Sequence, residues 1–232
     1  MGRKFYRFIS PIIRLCIPKL EVQWDVPWDE APCVFVANHE RAMGPLQMAI
    51  NFPLRDRSKI WIFADALSRE TVPAWVRQDH WWKEDGFFAP LWNALIPPIV
   101  ALILPPILRS VPHVPVYHDA RAVRTMKDSL RAMRDEGMNI VIFPEIPTGY
   151  GEHDTEHINE GFLHLLPMYH RMTGRTLPIW VVHLDTAAHS MAVHTPILWD
   201  PARPIEEQTP ELAQTILHHL FHDPEGGEAR EA

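Results

Sequence analysis

Cys33-Val34-Phe35-Val36-Ala37-Asn38-His39 is the stretch that decides the fold. Five apolar residues in succession, β-branched and aromatic among them, read as a strand buried on both faces, the usual state of a strand in a parallel sheet. The run ends abruptly in Asn38-His39, so an imidazole is delivered to the end of a strand, where α/β folds meet their ligands. A second run, Ile140-Val141-Ile142, ends in Phe143-Pro144-Glu145 and delivers a carboxylate in the same manner. A histidine and a glutamate on two strand ends are the parts of a general-base site with a polar anchor for its substrate.

Outward from these two runs, strand-like segments recur at 60–64, 114–117 and 178–184 with helical patterns between them. Pro45 suits the first turn of a helix running to about Asn51. Val123, Met126, Leu130 and Met133 recur at helical spacing before a stop at Gly137. Gly161 to Met172 also reads as helical, with Pro167 expected to kink or shorten it. Thr209-Pro210-Glu211 is expected to open a last helix carrying Leu212, Ile216, Leu217 and Leu220 on one face. Alternating strands and helices of these lengths imply an α/β fold: a single domain with a mixed, mostly parallel sheet flanked by helices.

The 232 residues are enough for one domain with a complete core, taken here as 23–222. A net charge of −7 argues against nucleic acid as the main partner, because phosphate backbones need a basic surface. Two cysteines, Cys16 and Cys33, make no disulfide framework, which points to a reducing compartment. Residues 1–22 form a basic segment with Arg3, Lys4, Arg7, Arg14 and Lys19 interleaved among apolar and aromatic side chains, a pattern suited to an anionic lipid surface. Nine tryptophans fit the same reading, since tryptophan is enriched at membrane interfaces. Residues 223–232 read as an acidic flexible tail. Phe87 to Leu108 carries no charge and has the length to span a bilayer, but its Pro97-Pro98 and Pro105-Pro106 pairs argue for short helical pieces. Those pieces would dip into lipid or line a channel for an acyl chain.

Asn38-His39, Val114-Pro115-Val116, Phe143-Pro144-Glu145, Gly161 before a helix, and Leu177-Pro178-Ile179 occur in the order seen in one known family. Over roughly residues 30 to 185 the chain resembles the lysophospholipid (1-acyl-glycerol-3-phosphate) acyltransferases. The resemblance implies a glycerolipid acyltransferase-like fold at the cytoplasmic face of a membrane. It also implies transfer of a fatty acyl group from a thioester donor, acyl-CoA or acyl carrier protein, to a lysolipid hydroxyl. On that resemblance His39 is the general base, and Asn38, Phe143, Pro144, Glu145 and Gly161 bind or orient the acceptor. Histidine suits the task because its ordinary pKa lies near neutrality.

Three positions depart from the family. Its base is followed, after four residues, by an aspartate that orients the ring; here that position is Gly44. Glu40 is the nearest substitute carboxylate. The family's phosphate-binding arginine is replaced by His118, leaving Arg121 and Arg124 as the nearest cations. Ile146 stands at a family glycine, no arginine follows, and the acids Glu152, Asp154, Glu156 and Glu160 come next. An acidic segment is a poor neighbour for a phosphate, so an acceptor without a phosphomonoester is favoured. Glu152-His153-Asp154 with Glu156-His157 reads as solvated loop residues, and no metal is expected. The alternative is a catalytically silent relative, kept as a lipid- or partner-binding membrane protein.

Overall fold

Val34, Phe35, Val36 and Ala37 have no exposed surface at all. The two faces of that strand feed two separate cores, because successive side chains point to opposite sides of a sheet. In the computed structural model, which describes residues 17–40, 43–78, 87–149 and 152–221, they form strand β2 (Val34–Ala37) at the centre of a seven-stranded sheet. Val34 and Val36 face one core with α4 (Ala122–Glu136), α5 (Leu165–Thr173) and α6 (Ile205–Phe221). Phe35 and Ala37 face the other, closed by α1 (Met43–Ile50) and by Phe52. The Phe35 and Phe52 rings meet edge to face at 5.0 Å, and burying each ring stabilises the domain by about 1.5–3 kcal/mol.

The sheet order is β1-β9-β8-β2-β5-β3-β4. Here β1 is Glu21–Trp24, β3 Ser58–Phe63, β4 His113–Val116, β5 Asn139–Ile142, β8 Ile179–Asp185 and β9 Ser190–Val193. Strands β8, β2, β5, β3 and β4 run parallel, while β9 is antiparallel to β8 and carries β1 alongside it. The expected α/β class and mostly parallel sheet are therefore found. From β2 the chain leaves past β5 to β3; from β5 it returns past β2 to β8. Connections leaving two neighbouring strands in opposite directions open a crevice at their carboxyl ends, the place where such sheets bind ligands.

Several expectations need correction. The sheet begins before residue 23: Leu20 is buried in the core and Glu21–Trp24 pairs with β9. Of the basic segment 1–22, residues 1–16 lie outside the described residues, as does the acidic tail. Residues 145–149 and 152–158 are no loop; they form an antiparallel hairpin of β6 (Glu145–Gly149) and β7 (Glu152–Ile158). Pro167 sits in the first turn of α5, where its missing N–H costs nothing, after a 3₁₀ turn from Glu160 to His164. The last helix starts at Ile205, ahead of Pro210, because Gln208 ties its first turn to the Asp200 backbone and Ile205 is buried. Tryptophan richness is in large part core chemistry. Trp24 and Trp180 pack together at 5.8 Å, Trp199 is buried, and Trp61 donates to Ser129 Oγ at 2.9 Å.

The largest correction concerns the apolar segment. Ala89–Leu108 is one continuous 20-residue helix, α3, with Pro97, Pro98, Pro105 and Pro106 inside it. The Asn93 carbonyl, which the ring of Pro97 deprives of its helical donor, accepts from Arg77 Nη2 at 3.4 Å. Arg77 belongs to α2 (Val72–Gln78), and Val72 and Val76 of that helix pack on Ala101 of α3. Tertiary packing and a replacement donor thus outweigh the local proline penalty. The helix is built small side in and large side out. Ala89, Pro97, Ala101 and Pro105 are buried, while Leu91, Trp92, Leu95, Ile99, Leu102 and Ile103 are each about half exposed.

Candidate functional site

Asn38, His39 and Glu40 follow directly on β2, and Phe143, Pro144 and Glu145 follow on β5, the neighbouring strand. The two strand tips meet. The His39 main-chain N–H donates to Glu145 Oε2 at 2.5 Å, and the His39 ring lies against the Phe143 ring at 5.4 Å, nearly perpendicular. Glu145 is buried, and burial pushes its carboxyl up to about 7, with the His39 N–H pulling in the opposite direction. Near neutral pH this group therefore exchanges a proton readily, and it stands beside the backbone of the histidine.

The third strand tip is that of β8, on the other side of β2. Asn38 Nδ2 donates to the Leu184 carbonyl at 2.8 Å, and its Oδ1 accepts the Leu184 N–H at 2.7 Å. The amide thereby extends the β2–β8 ladder by one rung. Asn38 supports the turn. Glu40 makes the next rung: its Oε1 accepts from Thr186 N–H at 2.8 Å and from Thr186 Oγ1 at 2.6 Å. Its Oε2 is buried without a hydrogen-bond partner among the described residues. Glu40 also has a left-handed backbone, φ 38°, which costs a non-glycine residue on the order of 1–3 kcal/mol. An orphaned buried acceptor costs about as much again. Such strain persists only where surrounding structure enforces it, and it gathers at functional sites.

Position 44, where the resembling family carries an aspartate, has no room for a side chain. Its N–H donates to the His39 carbonyl at 2.9 Å as α1 starts. A Cβ placed there would sit 2.6 Å from the His39 carbonyl oxygen and closer still to that of Asn38, both of them backbone atoms. No side chain fits at position 44 without moving the turn that carries His39.

The remaining expected site residues lie elsewhere. His118, Arg121 and Arg124 follow β4, the edge strand, three strands from β2, which at the usual spacing is roughly 14 Å. His118 is exposed and packs on Phe63 at 4.9 Å. Arg121 is already paired with Asp119 at 2.7 Å and stacked on the Tyr117 ring at 4.5 Å. Its guanidinium holds the Asp119 carboxyl well below the ordinary carboxylate range. Arg124 pairs with Asp128 at 3.6 Å on the solvent side of α4. The structure does not bring these three to His39. Gly161 is exposed in the 3₁₀ turn that follows the hairpin, just after Asn159, whose N–H donates to the Pro144 carbonyl at 2.7 Å.

Of the acidic hairpin residues, Asp154 caps the Glu156 and His157 N–H groups and binds the His157 ring at 2.9 Å. Cys33 is a buried core thiol whose pKa is pushed far up by burial. Thr186, which bonds Glu40 twice, is the member of this cluster that sequence reading missed. The one available signal was its place just after the third apolar run, the same position that singled out His39 and Glu145.

The chain matches no protein-family model, no curated protein and no solved structure. Its chemistry has to be read from its own residues.

Proposed function

We propose that the protein is an O-acyltransferase with a glycerolipid acyltransferase-like fold, working on a membrane surface. It would move a fatty acyl group from a thioester donor, acyl-CoA or acyl carrier protein, to the hydroxyl of a lysolipid or related acceptor. The observation that carries this reading is the meeting of His39 and Glu145 at the switch point between β2 and β5. In the transfer, His39 takes the hydroxyl proton as the oxygen attacks the thioester carbonyl carbon. The carbon–oxygen bond forms, the carbon–sulfur bond breaks, and the proton passes to the departing thiolate. Glu145 orients the turn and the acceptor beside it.

An acceptor without a phosphomonoester is favoured, because Arg121 and Arg124 are ion-paired on a distant strand tip and the neighbouring hairpin is acidic. Membrane association is supported by α3. Its 20 residues measure about 30 Å in helical form, the thickness of a bilayer core, and its large apolar side chains point away from the protein. It packs against the short 3₁₀ turn Ala64–Leu67 that continues β3, on the same sheet edge as His39. Lying in the interface, α3 would set that edge against lipid, on the cytoplasmic side.

The test is thioester consumption by the purified protein over a panel of lysolipids and other hydroxyl acceptors, with His39→Ala as control. Loss of a general base is expected to lower turnover by about 10²- to 10⁴-fold. Equal inertness of wild type and His39→Ala on every acceptor ends the enzyme reading. The closed space at Gly44 favours one second reading, a silent relative that binds lipid through α3 without turnover. Vesicle binding in the complete absence of acyl transfer identifies it.

A further inference from the structure

We infer that Thr186 is a positioning residue for the His39 imidazole, doing through Glu40 what an aspartate at position 44 would otherwise do. The turn after β2 is held from both sides in alternation. Asn38 and Glu40 point toward β8 and bond to Leu184 and Thr186 at the same two-residue interval. His39, between them, is held from the β5 side, its N–H on Glu145 and its ring against Phe143.

Position 44 cannot contribute a side chain, since backbone oxygens fill the space that a Cβ would need. The strained φ of Glu40 lies in this same turn. A left-handed glutamate relaxes unless its side chain is anchored, and Thr186 supplies both of its anchoring bonds, one from the main chain and one from the hydroxyl. Removing the hydroxyl leaves one bond to hold the strained turn. The ring of the neighbouring residue then loses its fixed presentation. Thr186 touches neither substrate nor reacting atoms; it acts through Glu40.

The inference rests on His39 being the base of the proposed transfer, and two readouts separate the failure of either. Histidine ring resonances of the isotope-labelled full chain are followed across pH in wild type, Thr186→Val and Thr186→Ser, with the His39 signal assigned by its loss in His39→Ala. Turnover is measured on the same samples, and thermal melting confirms that each variant is folded. Thr186→Val is expected to move the His39 tautomer or titration signal and to lower kcat by about 10- to 100-fold, the scale of a displaced catalytic group. KM should stay within about twofold, because binding contacts are intact. Thr186→Ser, which keeps the hydroxyl, is expected to restore both. A His39 signal unchanged in Thr186→Val overturns the inference, and so does a Thr186→Ser variant as impaired as Thr186→Val. If wild type proves inert on every acceptor, the transfer reading falls by itself, and the ring signal still decides whether Thr186 positions His39.

Discussion

The carboxyl edge of the parallel sheet has two unlike halves. At β8, β2 and β5 the strand tips are interlocked: Asn38 with Leu184, Glu40 with Thr186, His39 with Glu145. At β3 and β4 the tips carry exposed groups satisfied by their own neighbours, Arg121 by Asp119 and Arg124 by Asp128. The first half spends conformational freedom, and even backbone strain, on fixing a few polar groups. The second keeps its charges in water and lies under the apolar α2–α3 layer, which reaches it through the Ala64–Leu67 turn. Rigid polar positioning and an exposed apolar surface are thus divided between neighbouring parts of one edge.

The sharpest way to break this contrast is Gly44→Asp, which introduces the residue that the resembling family carries there. The structure predicts loss of stability by about 3 kcal/mol or more, with no gain of activity, because the new side chain meets backbone. Denaturant unfolding measures it; a stable, more active variant would show the turn to be far more pliant than described.

Next in size is the pH response of Glu145. Its folded carboxyl keeps the proton up to about 7 against an ordinary 4.5. The stability it contributes is therefore complete below about pH 4.5 and is lost as pH rises through about 7. Glu145→Gln, which still offers an oxygen to the His39 N–H, should be spared that loss. Relative to wild type it should gain on the order of 3 kcal/mol between pH 5 and pH 8. Parallel unfolding curves for the two proteins across that range would refute it.

The other half is tested by charge. Leu95→Glu, Ile99→Glu and Leu102→Glu together should weaken flotation with anionic phospholipid vesicles by about tenfold or more, with the melting temperature unchanged. Retained flotation would place the lipid contact elsewhere. The smallest effect is expected of Arg121→Ala with Arg124→Ala: exposed pairs of this kind contribute less than about 1 kcal/mol. Turnover should stay within about threefold. A large fall in acceptor affinity would return a phosphate-bearing substrate to consideration.

What the amino-acid sequence revealed follows the same division. Strands β2, β5 and β8 were legible because burial on both faces demands unbroken apolar runs. Strands β1 and β9 were missed, being four residues long and half exposed. The hairpin was missed because its two strands are largely polar and pair with each other outside the seven-stranded sheet. His39 and Glu145 were legible as the ends of apolar runs. Thr186 was not, since its role comes from a partner 146 positions away. Gly44 was visible as a departure from the resembling family, but the two carbonyl oxygens that close its side-chain space exist only in three dimensions. Helix α3 was misjudged because a proline's local cost says nothing about a donor such as Arg77 arriving from another helix.

The inverted build of α3 has a consequence for how this chain tolerates change. Along Ala89, Pro97, Ala101 and Pro105 it is bulk that is forbidden, so Ala101→Leu should do more harm than Leu102→Ala, although the first adds hydrophobic atoms and the second removes them. Mutational profiling of this helix should consequently penalise added volume on its inner stripe, while truncation of the large outer side chains costs little.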